Sequence, residues 1–77
     1  MNNATDQAIG TQIQSLRVFA GLDILSAAVR LRIAPEELKA YEGGQRRPQP
    51  SLLLSMAECY GVPPSRLFDV LSASHNS

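Results

Sequence analysis

The sequence predicts an all-α fold, a compact bundle of five helices. Three observations carry that prediction. Apolar residues recur at three- and four-residue spacing, Gly and Pro cut the chain at short intervals, and no segment alternates apolar with polar residues as a strand does. With 77 residues the chain has room for one hydrophobic core and not for two.

The first helix is expected from about Thr5 to Ala20, capped by Thr5 or Asp6, with Ile9, Ile13, Leu16 and Ala20 on its buried face. Gly21 would end it in a left-handed turn. Asp23 offers the next N-cap, and Ile24 to Leu31 forms a short second helix with Ala27, Ala28 and Leu31 inward. Arg32-Ile33-Ala34 is the break that follows. Pro35 then suits the first turn of a third helix, where Glu36 and Glu37 meet the positive end of the helix dipole. Leu38 and Tyr41 share its inner face, and Gly43-Gly44 stops it.

A fourth helix starts near Pro50, with Leu53, Met56, Ala57 and Tyr60 inward before Gly61. Pro63-Pro64 opens a fifth, holding Leu67, Phe68 and Leu71. The predicted interior is Ile13, Leu16, Ala28, Ile33, Leu38, Tyr41, Leu53, Met56, Ala57 and Phe68. Residues 1–5 and 72–77 are expected as flexible tails around a domain at 6–71.

Composition narrows the function. Apolar residues make 44% and charged residues 18%, an ordinary globular balance. The single Cys59 cannot form an internal disulfide, and no apolar run approaches the ~20 residues of a membrane span. The start, MNNATDQ, has neither the basic nor the apolar part of a signal peptide, so a reducing cytoplasm is the expected setting. Seven basic and seven acidic residues cancel, which argues against a non-specific polyanion binder. The cations nevertheless cluster: Arg30, Arg32, Lys39, Arg46 and Arg47 face only Glu36, Glu37 and Glu42 in that stretch. No Cys/His cluster has metal spacing, and no catalytic Ser/His/Asp set or phosphate-cradling glycine loop is present. Neither an enzyme, a cofactor, a metal nor a small-molecule effector is expected.

The second and third helices, joined by about three residues, have the apolar spacing of a helix-turn-helix. Counting from Ile24, a small residue falls at the fifth place (Ala28), Ile33 at the tenth, and Leu38 and Tyr41 at the fifteenth and eighteenth. From about Ile9 to Leu71 the chain resembles the phage-repressor and Cro-type (XRE) family. The resemblance is carried by Ile9-Gly10-x-x-Ile13, Leu16-Arg17, Gly21-Leu22, Ala27-Ala28, Tyr41-Glu42-x-Gly44, Arg47-Pro48, Met56-Ala57 and Gly61-Val62. Tyr-Glu-x-Gly is the most specific of these segments.

That resemblance implies a third helix, about 35–42, in the major groove of double-stranded DNA, phosphates held by the start of helix two and the loop after helix three, and two-fold dimers. It also places Arg17 and Glu42 together as a partly buried structural ion pair. Three departures stand out. Ile24 replaces the Gln that touches phosphate, Arg32 replaces the glycine of the turn, and Pro35, Glu36, Lys39 and Ala40 replace the usual base readers.

The candidate DNA contacts are therefore Glu36, Lys39, Ala40, Arg46 and Arg47. Leu67, Val70 and Leu71 are the candidate homodimer contacts, because the inward face leaves them little cover. The leading reading is a bacterial or phage transcription regulator binding DNA as a homodimer. Its rival is the same scaffold used as a protein-interaction module, an antitoxin or an adaptor to another regulator, favoured by the acidic third helix, Ile24 and the zero net charge.

Overall fold

In the computed structural model, residues 4–67 are described, and they contain four helices: α1 (Ala4–Phe19), α2 (Ile24–Leu31), α3 (Pro35–Glu42) and α4 (Pro50–Tyr60). Residues 65–67 are helical again, at the place expected for a fifth. There is no strand among the described residues, and none of their helices is long and apolar enough to cross a membrane.

Local chemistry sets each boundary. α1 begins at Ala4, with Thr5 and Asp6 inside its first turn. It ends where Gly21 takes φ 79° and the Leu22 amide bonds back to the Arg17 carbonyl at 3.2 Å. Asp23 caps α2 by accepting from the Ser26 amide at 2.7 Å. Those hydrogen bonds hold its carboxyl below the usual aspartate range.

α2 closes on Arg32 in the left-handed region, φ 61° and ψ 41°, the one non-glycine with positive φ among the described residues. The conformation lets the Ile33 amide reach the Ala28 carbonyl at 3.1 Å, and a Cβ there costs about 1 kcal/mol that glycine avoids. Pro35 and Pro50 each occupy a first-turn position, where a missing N–H removes no helical bond.

The core joins all four helices. Ile9, Ile13 and Leu16 of α1 meet Ala27, Ala28 and Leu31 of α2, Leu38 and Tyr41 of α3, and Leu53, Met56, Ala57 and Tyr60 of α4. Burial pushes the Tyr60 phenol pKa up. Ile33 is only half-buried, since the left-handed turn sets it at the rim of this cluster. Phe68 lies outside the described residues. Leu67 is 0% exposed. It completes the interior and is unavailable as a dimer contact, which corrects the expectation from helical spacing. Val70 and Leu71 fall outside the described residues.

α1 and α3 meet backbone to backbone. A Cβ at Gly10 would lie 2.5 Å from the carbonyl oxygens of both Tyr41 and Glu42, so only glycine permits the contact. Just after α3, Gly44 (φ +77°) repeats the pattern: a Cβ there would lie 2.9 Å from the Cα of Gln7. The two glycines let the first half of α1 lie flush against the end of α3 and the start of its exit loop.

Candidate nucleic-acid interface

α3 keeps Leu38 and Tyr41 in the core and turns Glu36 and Lys39 to solvent, with Ala40 half-buried beside them. Glu37 is half-buried, and its Oε2 accepts from the Tyr41 hydroxyl at 3.1 Å. Burial, with that bond second, raises the Tyr41 phenol pKa. Glu37 therefore has an internal task and Glu36 does not share it.

The loop leaving α3 presents Arg46 and Arg47, both exposed. The Arg46 guanidinium carbon sits 5.6 Å from the centre of the Tyr41 ring, a cation–π arrangement that engages the face of the group and none of its N–H donors. Arg47 donates from Nε to Oδ1 of Asp6 at 2.7 Å. Its Nη groups are not spent on that contact. The next residue, Pro48, is buried and fixes the backbone there.

Two depressions border α3. One, of about 330 Å³, is lined by Glu37, Tyr41, Arg46, Arg47, Gln49 and Leu52. The other, of about 310 Å³, lies where α1, the start of α2 and the end of α3 meet, and Lys39 forms part of its wall. Lys39 and the arginine pair thus serve different sides of the helix.

Arg17 and Glu42 also border the second depression, and they are bonded to each other. Nε and Nη2 of Arg17 donate to Oε2 and Oε1 of Glu42 at 2.6 and 3.1 Å, while Nη1 donates to the Leu22 carbonyl at 2.8 Å. The side chains are 9% and 6% exposed. The hydrogen bond to Glu42 raises the guanidinium pKa further. With each guanidinium nitrogen making a hydrogen bond, Arg17 ties α1, the α1–α2 turn and the end of α3 together.

Sequence reasoning did not find Asp6 as the partner of Arg47 or Tyr41 as the platform under Arg46. Asp6 and Arg47 are 41 residues apart, and no periodicity links them. The Tyr41–Arg46 spacing of five residues crosses a helix end, where helical rules stop applying.

This architecture is that of a helix-turn-helix protein, and the chain belongs to the helix-turn-helix domain family, whose pattern matches residues 8–68. The match agrees with the phage-repressor and Cro-type resemblance. Among solved structures, the fold is similar to the clp gene regulator ClgR from C. glutamicum, with a TM-score of 0.81 and 22% identity over 94% of each chain. It is also similar to the restriction-modification controller protein C.AhdI from Aeromonas hydrophila, with a TM-score of 0.80 and 24% identity over 86% of this chain and 100% of that one. No curated protein matches the chain by sequence.

Proposed function

We propose that this chain is a non-enzymatic transcription regulator that binds double-stranded DNA, with α3 in the major groove and Arg46 and Arg47 on the phosphate backbone. One observation carries the reading: two exposed arginines stand where the chain leaves α3, each held by a neighbouring side chain and each with N–H donors to give. A chain of zero net charge needs such focused cations, since no general field draws it to DNA. Glu36, Lys39 and Ala40 are the α3 residues that would approach base edges. The similar proteins named above are a gene regulator and a controller protein, in keeping with this reading. It needs no cofactor. We also propose that the chain acts as a cytoplasmic homodimer, which would give a small domain the burial it lacks alone.

The test is a gel shift on DNA upstream of the chain's own coding region, against a random duplex, at several salt concentrations. Arg46→Ala/Arg47→Ala should weaken binding to both duplexes and lower the salt slope by about two, one per phosphate contact. Glu36→Ala should shift preference at one base pair by about 1–3 kcal/mol if Glu36 reads cytosine. Unchanged affinity and slope in the double arginine variant would defeat the clamp. Sedimentation showing a monomer with and without DNA would defeat the dimer.

A specific observation favours the second reading, a protein-interaction module. Phe19 is 87% exposed and Val29 76%, with Val18 and Leu25 also in solvent, all outside the residues assigned to DNA. Absence of any DNA shift would move the assignment there.

A further inference from the structure

We infer that Asp6 is a positioning residue for the phosphate clamp, holding the Nε edge of Arg47 so that its Nη edge is presented to the DNA backbone. The inference rests on the DNA-binding reading above. A guanidinium is a flat fork with two usable edges, and a carboxylate on one leaves the other able to take a phosphate by paired N–H donors. The Arg47–Asp6 contact has that geometry: Nε is the donor, at 2.7 Å, and the arginine side chain stays 47% exposed while Asp6 is 17% exposed.

The acceptor is firmly mounted. Asp6 lies in the first turn of α1, and its neighbour Gln7 abuts Gly44 at a distance that excludes any side chain there. Pro48, buried, anchors the loop on the other side of Arg47. The first turn of α1 is therefore part of the proposed binding surface, although it contains no residue of the helix-turn-helix pair.

The sign of one substitution separates this role from plain electrostatics. Deleting a carboxylate beside DNA should tighten binding if charge alone matters, whereas deleting a positioning group should weaken it. Fluorescence anisotropy would be followed with a labelled random-sequence duplex and with the upstream duplex, across a salt series, using the full chain. Asp6→Ala should weaken binding to both by about fivefold and bring the salt slope down toward that of Arg47→Ala. Asp6→Asn keeps an Oδ1 acceptor for Nε and should restore wild-type affinity. In the Arg47→Ala background, Asp6→Ala should change nothing further.

The inference is overturned if Asp6→Ala binds as tightly as wild type or tighter while Arg47→Ala is weakened. It is overturned as well if Asp6→Ala weakens the Arg47→Ala variant as much as it weakens wild type, which would mark a merely structural effect. Failure of the underlying DNA reading looks different: Arg47→Ala, or wild type itself, would then show no dependence of binding on Arg47 at all.

Discussion

Two arginine–carboxylate pairs join α1 to the region at and beyond the end of α3, and they differ in what they leave over. Arg17 and Glu42 are buried, bonded through two nitrogens, with the third nitrogen given to a backbone carbonyl. Arg47 and Asp6 share one edge at the surface. Burial explains the division of labour. A charge withdrawn from water must be paired and hydrogen-bonded, so it becomes structural; a half-solvated one can keep donors in reserve for a ligand. The chemistry of the two pairs is the same, and the solvent decides their use.

The largest effect expected from breaking this contrast is on the inner pair. Arg17→Met strands Glu42 in a nearly dry site and should cost about 3–5 kcal/mol in urea unfolding. Adding Glu42→Leu should recover part of that loss; additive costs would show that the two side chains do not act together. Arg47→Ala, its surface counterpart, should change stability by no more than about 1 kcal/mol. Comparable losses at the two sites would erase the distinction.

Next in size is Gly10→Ala. The added carbon meets two backbone carbonyl oxygens, which cannot rotate away as a side chain could. A loss of about 1–3 kcal/mol is expected from the forced separation of α1 and α3. Because that separation would lengthen both arginine pairs, the same variant should also weaken DNA binding, sharpening the link between seam and clamp.

A smaller change, of opposite sign, is expected away from both pairs. Arg32→Gly relieves the left-handed residue that closes α2 and should stabilise the fold by up to about 1 kcal/mol, read as a raised Tm. Destabilisation instead would mean that the Arg32 side chain earns its place through contacts not apparent in the fold.

The smallest effect lies in acid. Hydrogen bonds from Ser26 hold the Asp23 carboxyl below its usual range. Its folded-state pKa is thus lower than its unfolded one, so its contribution is complete above about pH 4 and is lost as pH falls through the lower folded value. Asp23→Asn retains an acceptor for Ser26, and melts below about pH 4 should show a shallower acid dependence than wild type.

The helix-turn-helix itself was legible in the sequence because its determinants are local. Asp23 and Ser26 are three residues apart, Pro35 acts on its own turn, and the family resemblance puts Arg32 at the place of the turn glycine. Other features were not legible for equally physical reasons. Asp6 reads as a cap because short acidic residues near a helix start usually are caps, and nothing local announces Arg47, which donates to it from 41 residues later. Leu67 looked surplus because periodicity in a short helix cannot say which of several apolar residues the rest of the chain has left room for, and the interior takes it whole. Ile33 sat correctly in the motif, but the turn that places it also tilts it to the edge of the core. The Arg17–Glu42 pair was available only through resemblance to a family, since nothing in the spacing of the two residues points from one to the other.

The flush contact at Gly10 also bears on the order of events in time. Ser26 finds Asp23 within one helical turn, and α2 and α3 are separated by a short break, so the recognition unit can assemble from near neighbours. The seam must wait, because Arg17 is separated from its partner by 25 residues and Asp6 from its own by 41. Closing those larger loops costs more chain entropy, and α1 leaves the ribosome before anything it will lie against has been made. Substitutions along the seam are therefore expected to speed unfolding more than they slow folding, with φ-values near zero at Gly10 and higher ones within the α2–α3 pair. On that timetable α1 is the last to dock and the first to leave.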